Sequence, residues 1–207
     1  MARIKIFALG GLGENGKNMY CIDVDNQLFI LDAGLKYPSV DLLGVDSIIP
    51  DITYLEQNKD RIVGLFLSHG HEDHIGAVPR ILKTMNIPIY ASYFTLAILK
   101  DSLEDQGLQT DNFTFHTVSA KNTLNFNGVS VDFYAVTHSI PESLGIAIHT
   151  KDGTIVYAPD YNFDQNVASA YKTDFDKLSK IAGHEVLALL TETLGSERGG
   201  YTHGGNT

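Results

Sequence analysis

The chain has 207 residues, 43% of them apolar and 19% charged, which is ordinary for a globular domain and enough to bury one substantial core. A formal net charge of −10 with no basic stripe argues against broad nucleic-acid binding by this stretch alone. One cysteine, Cys21, excludes an internal disulfide framework and fits a reducing compartment; no apolar run approaches the roughly 20 residues of a membrane span, so a soluble cytoplasmic protein with no membrane partner is expected.

Residues 3–9 alternate like a strand, and 10–16 form a Gly-rich loop. Residues 19–24 and 27–31 read as a hairpin around Asp25-Asn26, and Asp32-Ala33-Gly34 ends its second strand. Residues 36–60 read as irregular, with Pro38 and Pro50 as breakers. A buried strand at 62–67 is followed by a helix at 75–85, with Pro79 in its first turn. A short strand at 87–90 precedes a second helix at 93–103. Further strands are expected at 113–118, 129–136, 145–149 and 154–157, then a helix at 175–181 and an apolar strand at 186–190. This order suggests two sheets facing each other with helices outside, a four-layer α/β arrangement.

The most telling stretch is Ser68-His69-Gly70-His71-Glu72-Asp73-His74. Three imidazoles and a carboxylate crowd into six residues, a costly cluster unless divalent ions bind it. In extended backbone, residues two apart point to one side, so His69 and His71 can close on one ion. The chain then turns, and Asp73 and His74 reach a second. Structural zinc sites are usually closed and Cys-rich, whereas catalytic sites keep a position open for water, so nitrogen and oxygen donors argue for chemistry. Two more donors follow strand ends: His138, able to complete an imidazole trio, and Asp160, able to bridge two ions. Asp32 also ends a strand, and orienting a ligand histidine suits it better than direct coordination. Asp73, His74 and Asp160 are the expected catalytic residues. His116, His149, His184 and His203 receive no role, and Cys21 reads as a small core residue.

Gly11-x-Gly13-x-x-Gly16 matches a dinucleotide-binding fingerprint, but that motif needs a helix next. Residues 18–24 read as strand, so the glycines are assigned to a tight turn near the metal loop.

With these residues assembled, the chain resembles the metallo-β-lactamase superfamily, and more narrowly its β-CASP branch and the ribonuclease J family. The matching stretches are 10–20, 31–36, 49–55, 68–77 and 138–145. The resemblance implies an αββα sandwich, with residues 1–207 its N-terminal portion and the β-CASP domain and C-terminal remainder absent. It implies a metal-dependent ribonuclease of RNA maturation and decay, including rRNA processing, with 5′-to-3′ exonuclease and endonuclease activities. His69, His71 and His138 would hold one zinc, Asp73 and His74 the other, and Asp160 would be shared. A further histidine ligand and most of the RNA-binding surface would lie in the absent part, and the full-length protein would form a homo-oligomer or a paralogue complex. Two departures stand out. The family typically has Gly-Asp-Phe-Lys-Phe-Asp where this chain has Pro159-Asp160-Tyr161-Asn162-Phe163-Asp164, and Ser-Asp-Ser where it has Thr191-Glu192-Thr193. The alternatives are a small-ester or thioester hydrolase of the same superfamily, or a weakly active RNA-binding subunit partnering an active paralogue.

Overall fold

A computed structural model describes residues 1–164 and 166–200; His203 lies outside the described residues. They fall into two compact units, Arg3–Thr117 and the residues from Val118 onward together with Met1–Ala2.

The Arg3–Thr117 unit carries a six-stranded mixed sheet in the order β1-β2-β3-β4-β5-β6. Its strands are β1 (Ile4–Gly10), β2 (Met19–Val24), β3 (Gln27–Leu31), β4 (Ile62–Phe66), β5 (Ile89–Ala91) and β6 (Phe115–Thr117). The first three pair antiparallel. Asp25 and Asn26 take left-handed φ values of 47° and 71° at the β2–β3 turn, as a two-residue hairpin connection requires. From β3 onward the pairing is parallel. Parallel strands are covered on both faces, which is why β3 and the end of β4 read as unbroken apolar runs. Leu28, Ile30, Leu65 and Leu67 meet Ile81, Leu82, Leu96 and Leu99 in one core. The helices here are α1 (Thr53–Gln57), α2 (Glu72–Ile75), α3 (Val78–Thr84) and α4 (Tyr93–Asp105). The Ser92 hydroxyl caps α4 by accepting the Thr95 N–H.

The second unit holds a five-stranded sheet in the order β11-β10-β9-β8-β7. It consists of β7 (Thr123–Phe126), β8 (Val129–Ala135), β9 (Leu144–Thr150), β10 (Gly153–Ala158) and β11 (Val186–Thr191). β7 to β10 pair antiparallel. β11 runs parallel to β10, which demands a crossover, and α5 (Phe175–Ala182) lies in it. Leu178 and Ile181 of α5 pack on Tyr134, Val136, Ala147 and Val156. Gly145 is required on β9, because a Cβ there would stand 2.1 Å from the Tyr134 ring.

Three expectations need correction. The helix placed at 75–85 is two helices that part at Gly76–Ala77, and α2 begins earlier, at Glu72. Gly76 takes the Leu35 side chain against its backbone, where a Cβ would lie 2.4 Å from Leu35 Cγ. The 36–60 stretch contains α1, started by Asp51 Oδ1, which accepts from Thr53 N–H and Oγ1–H. β7 was not expected at all; it pairs with β8 across a turn where Asn127 and Gly128 have φ of 40° and 87°. The Gly-rich loop leads into strand β2 and not into a helix, as expected. No described helix is long and apolar enough to cross a membrane.

Candidate metal centre

The first unit builds its half of the site by docking one strand end against another. Asp32, at the end of β3, has a φ of 58° and is fully buried. This turn sends residues 33–35 alongside α2. Ala33 N–H donates to His74 O at 2.7 Å, Leu35 N–H to Glu72 O at 2.9 Å, and Ala77 N–H to Ala33 O at 2.8 Å. The approach is so close that a Cβ on Gly34 would stand 1.5 Å from Asp73 O. Asn18, just before β2, ties in the other side through Asn18 N–H to Asp73 O at 3.0 Å. The loop therefore hangs on two parts of the chain, residues 32–35 and Asn18, neither of which lies in the histidine motif.

One carboxylate sets the chemistry of this loop. Asp32 Oδ1 accepts the Ser68 N–H, and its Oδ2 accepts the Ser68 hydroxyl, both at 2.7 Å. Asp32 Oδ2 also lies 2.7 Å from His74 Nδ1. The carboxylate only accepts, so His74 Nδ1 carries the proton and Nε2 presents a lone pair. The Ser68 proton is spent on Asp32, so its oxygen accepts from His69 Nδ1 at 2.9 Å. The lone pair of His69 then sits on Nε2 as well. Asp32 thus fixes the tautomer of two histidines, one directly and one through Ser68.

The donor spacing fits an ion. His69 Nε2 and His71 Nδ1 are 3.1 Å apart, and His74 Nε2 and Asp73 Oδ2 are 3.6 Å apart. Two ligand atoms bound about 2.05 Å from a tetrahedral ion would be separated by about 3.3 Å. His69 and His74 are essentially fully buried, while the Asp73 side chain is 37% exposed. The loop thus has a rigid inner wall and an open outer edge.

Around it, Glu14 binds Lys17 Nζ at 3.1 Å and Lys36 Nζ at 3.2 Å. Burial pushes the Glu14 carboxyl up, but the two ammonium groups outweigh it and hold it below the usual range. The Tyr37 hydroxyl donates to Glu72, and that bond raises the Tyr37 pKa.

The second unit brings His138 and Asp160 together by the same device of adjacent strand ends. His138 follows β8 and Asp160 follows β10, with His138 Nε2 3.5 Å from Asp160 Oδ2. Asn162 N–H donates to Thr137 O at 2.8 Å and pins the Asp160 loop beside His138. Thr137 is held in turn by reciprocal bonds with Thr173. The two departures from the family pattern touch each other here. Glu192 Oε1 accepts the Tyr161 N–H at 3.1 Å, and Thr191 Oγ1 lies 3.5 Å from the Tyr161 hydroxyl.

The histidines set aside lie elsewhere. His116 stacks on Tyr90 at 4.6 Å. His149 bridges Thr154 Oγ1 and Asp132 Oδ2, and its ring lies 6.2 Å from that of His184. Cys21 is fully buried, and burial pushes its thiol up to about 12. Sequence reasoning missed Ser68 and Asn18, and it singled out Glu192 only as a departure from the family pattern. Ser68 adjoins the motif and could have been suspected; nothing in the residue type of Asn18 marked it, and nothing in the sequence paired Glu192 with Tyr161.

Residues 12–193 match the metallo-beta-lactamase superfamily. The chain is 43% identical over 198 residues to ribonuclease J 2 of Staphylococcus saprophyticus, and 40% identical over the same length to ribonuclease J 2 of Staphylococcus aureus. Each match takes in 96% of this chain but only 35% of the relative, so the chain spans about a third of their length. Among solved structures, the Zn(2+)-bound PqqB from Methylobacterium extorquens superposes with a TM-score of 0.59 at 18% identity, covering 84% of this chain and 59% of PqqB. A diphosphatase from the PhnP family gives 0.52 at 19% identity, covering 76% and 66%. These two likenesses concern the fold alone: α/β, with two mixed sheets. A loop of histidines and aspartates braced by a buried carboxylate, on a chain matched from residue 12 to 193, shows that the protein belongs to the metallo-β-lactamase superfamily.

Proposed function

We propose that this chain is the N-terminal portion of the metal-binding domain of a ribonuclease that hydrolyses RNA phosphodiester bonds. The observation that carries the reading is the Asp32–Ser68–His69/His74 relay, which readies two histidines as ligands in a chain 43% identical to a ribonuclease J 2. By analogy with the family pattern, His69, His71 and His138 would hold one divalent cation, Asp73 and His74 a second, and Asp160 would serve both. The donor set of imidazole and carboxylate suits zinc. Bound cations would supply Lewis acidity, acidifying a water molecule and neutralising charge that develops on the phosphoryl oxygens. Asp32 and Ser68 keep the ring protons on the Nδ1 atoms of His74 and His69, away from the reacting side. Asp73, on the open edge, would orient the attacking water while ligating. The activity would combine 5′-to-3′ exonuclease and endonuclease cleavage in RNA maturation, in the cytoplasm, with the RNA grip and the oligomer contacts supplied by other parts of a longer protein.

The test is cleavage of 5′-monophosphorylated RNA by the longer protein carrying His71→Ala or His74→Ala. Loss of turnover by several orders of magnitude is expected; undiminished cleavage would rule the assignment out. A thioester panel run in parallel separates the esterase alternative. A second reading, a passive subunit beside an active paralogue, is favoured by one feature. Both departures from the family pattern, Tyr161 and Glu192, are joined by a bond at the loop of Asp160. Metal-free, catalytically silent full-length protein that still binds RNA would support that reading over the first.

A further inference from the structure

We propose that Tyr37 is the platform on which one unpaired base of the RNA substrate stacks at the edge of the metal loop. The inference rests on the ribonuclease reading above. The segment carrying Tyr37 is held from two sides. Leu35 N–H donates to Glu72 O at 2.9 Å, and Lys36 and Ile48 exchange two backbone bonds of 2.8 Å each. The side chain is held as well, because the Tyr37 hydroxyl donates to Glu72 Oε2. Glu72 stands between His71 and Asp73 in the chain, so the phenol is tied to the residue that separates two expected ligands. Tyr37 nevertheless remains 63% exposed.

An exposed apolar side chain is ordinary by itself. Tyr37 differs in being fixed and open at once: its hydroxyl proton is given to Glu72, and most of the ring is left in water. Immobilising a side chain before its ligand arrives removes part of the ordering cost of binding. Bases of single-stranded RNA are taken up on such rings, and every base has a face to offer. Stacking also suits the charge of this chain. At a net −10 it has little basic surface with which to grip phosphates, whereas a ring–base contact needs no cation. The role is to hold a nucleotide beside the scissile linkage in register. Tyr37 takes no part in proton transfer.

The experiment is a coupling cycle on the longer protein, with wild type and Tyr37→Ala acting on a 5′-monophosphorylated oligoribonucleotide. In parallel substrates, an abasic ribonucleotide replaces each position near the cut in turn. Wild type should lose about 5- to 100-fold in kcat/KM at one of these positions. Tyr37→Ala should lose the same on intact RNA and nothing further when that base is absent. Tyr37→Phe keeps the ring without the tether and should recover the dependence on the base. Tyr37→Leu keeps bulk without a stacking face and should not; it carries the test should Tyr37→Ala fold poorly. Losses that multiply at every position, or a wild type indifferent to every abasic site, overturn the inference and leave the ribonuclease reading in place. A wild type that cleaves none of the RNAs overturns both.

Discussion

Replacing Asp32 by Ala removes the acceptor of three donors at once: Ser68 N–H, Ser68 Oγ–H and His74 Nδ1–H. Asp32, Ser68 and His74 are all at most 1% exposed, so water cannot take its place without opening the core. Each stranded donor costs about 1–3 kcal/mol. The three share one partner and relax together, so a total of about 3–6 kcal/mol is the reasonable range, a large part of the roughly 5–15 kcal/mol that holds a domain folded. With a urea slope of about 2–3 kcal/mol/M, the unfolding midpoint should fall by about 1–3 M. Asp32→Asn is the informative partner. Its side chain tolerates the positive φ and keeps one oxygen, so its loss should be about half as large. The assay is urea unfolding with chelator present, followed by far-UV circular dichroism and by amide exchange in β3 and β4. Metal titration of the same variants should show about 10- to 100-fold weaker uptake. A midpoint for Asp32→Ala within about 0.3 M of wild type would refute the relay, since three unmet buried donors cannot be that cheap.

Other outcomes follow from the same geometry. Gly34→Ala should push α2 off the strand end, because the new Cβ would meet Asp73 O at 1.5 Å; metal uptake should drop even if the sheet survives, and normal uptake would show that the close approach is dispensable. Glu192→Ala should expose the Tyr161 N–H, raising its hydrogen-exchange rate by about 5- to 10-fold, the worth of about 1–1.5 kcal/mol; an unchanged rate would remove Glu192 from the support of Asp160. Asp132 feels burial, which raises its pKa, but bonds from Thr123 and His149 and the charge of Lys177 prevail and lower it. A lowered folded pKa means stability that is present above the unfolded value, about 3.9, and is lost as pH falls through the folded one. Asp132→Asn should therefore flatten the acid limb of the stability profile, and an unaltered limb would contradict the assignment. The Cys21 thiol, pushed up to about 12 by burial, should resist a thiol reagent in the native chain and react on unfolding.

The parts legible in the sequence were those with a periodic or local cause. The β2–β3 hairpin was readable because Asp25-Asn26 supplies the left-handed turn that its strands need. α4 was readable as a helix over 93–103, but its buried face, Leu96, Leu99 and Leu103, was not the Phe94, Ala97 and Ile98 face that its apolar pattern suggested. The H-x-H-x-D-H loop announced itself by the cost of crowding such groups without a ligand. β7 was missed because Thr123–Phe126 is half polar and takes its strand form from pairing with β8. α2 was missed because a four-residue helix has no period to read; docking against residues 33–35 holds it. Asn18 and Glu192 act through contacts with residues 55 and 31 positions away, a relation no local pattern encodes.

Anomalous scattering from crystals of the zinc-loaded chain tests the central claim most directly. The account predicts two peaks, one bonded to His69 Nε2 and His71 Nδ1 and one to Asp73 Oδ2 and His74 Nε2, with His74 Nδ1 still on Asp32. Zinc bound only elsewhere on the surface, with these four donors untouched, would contradict it.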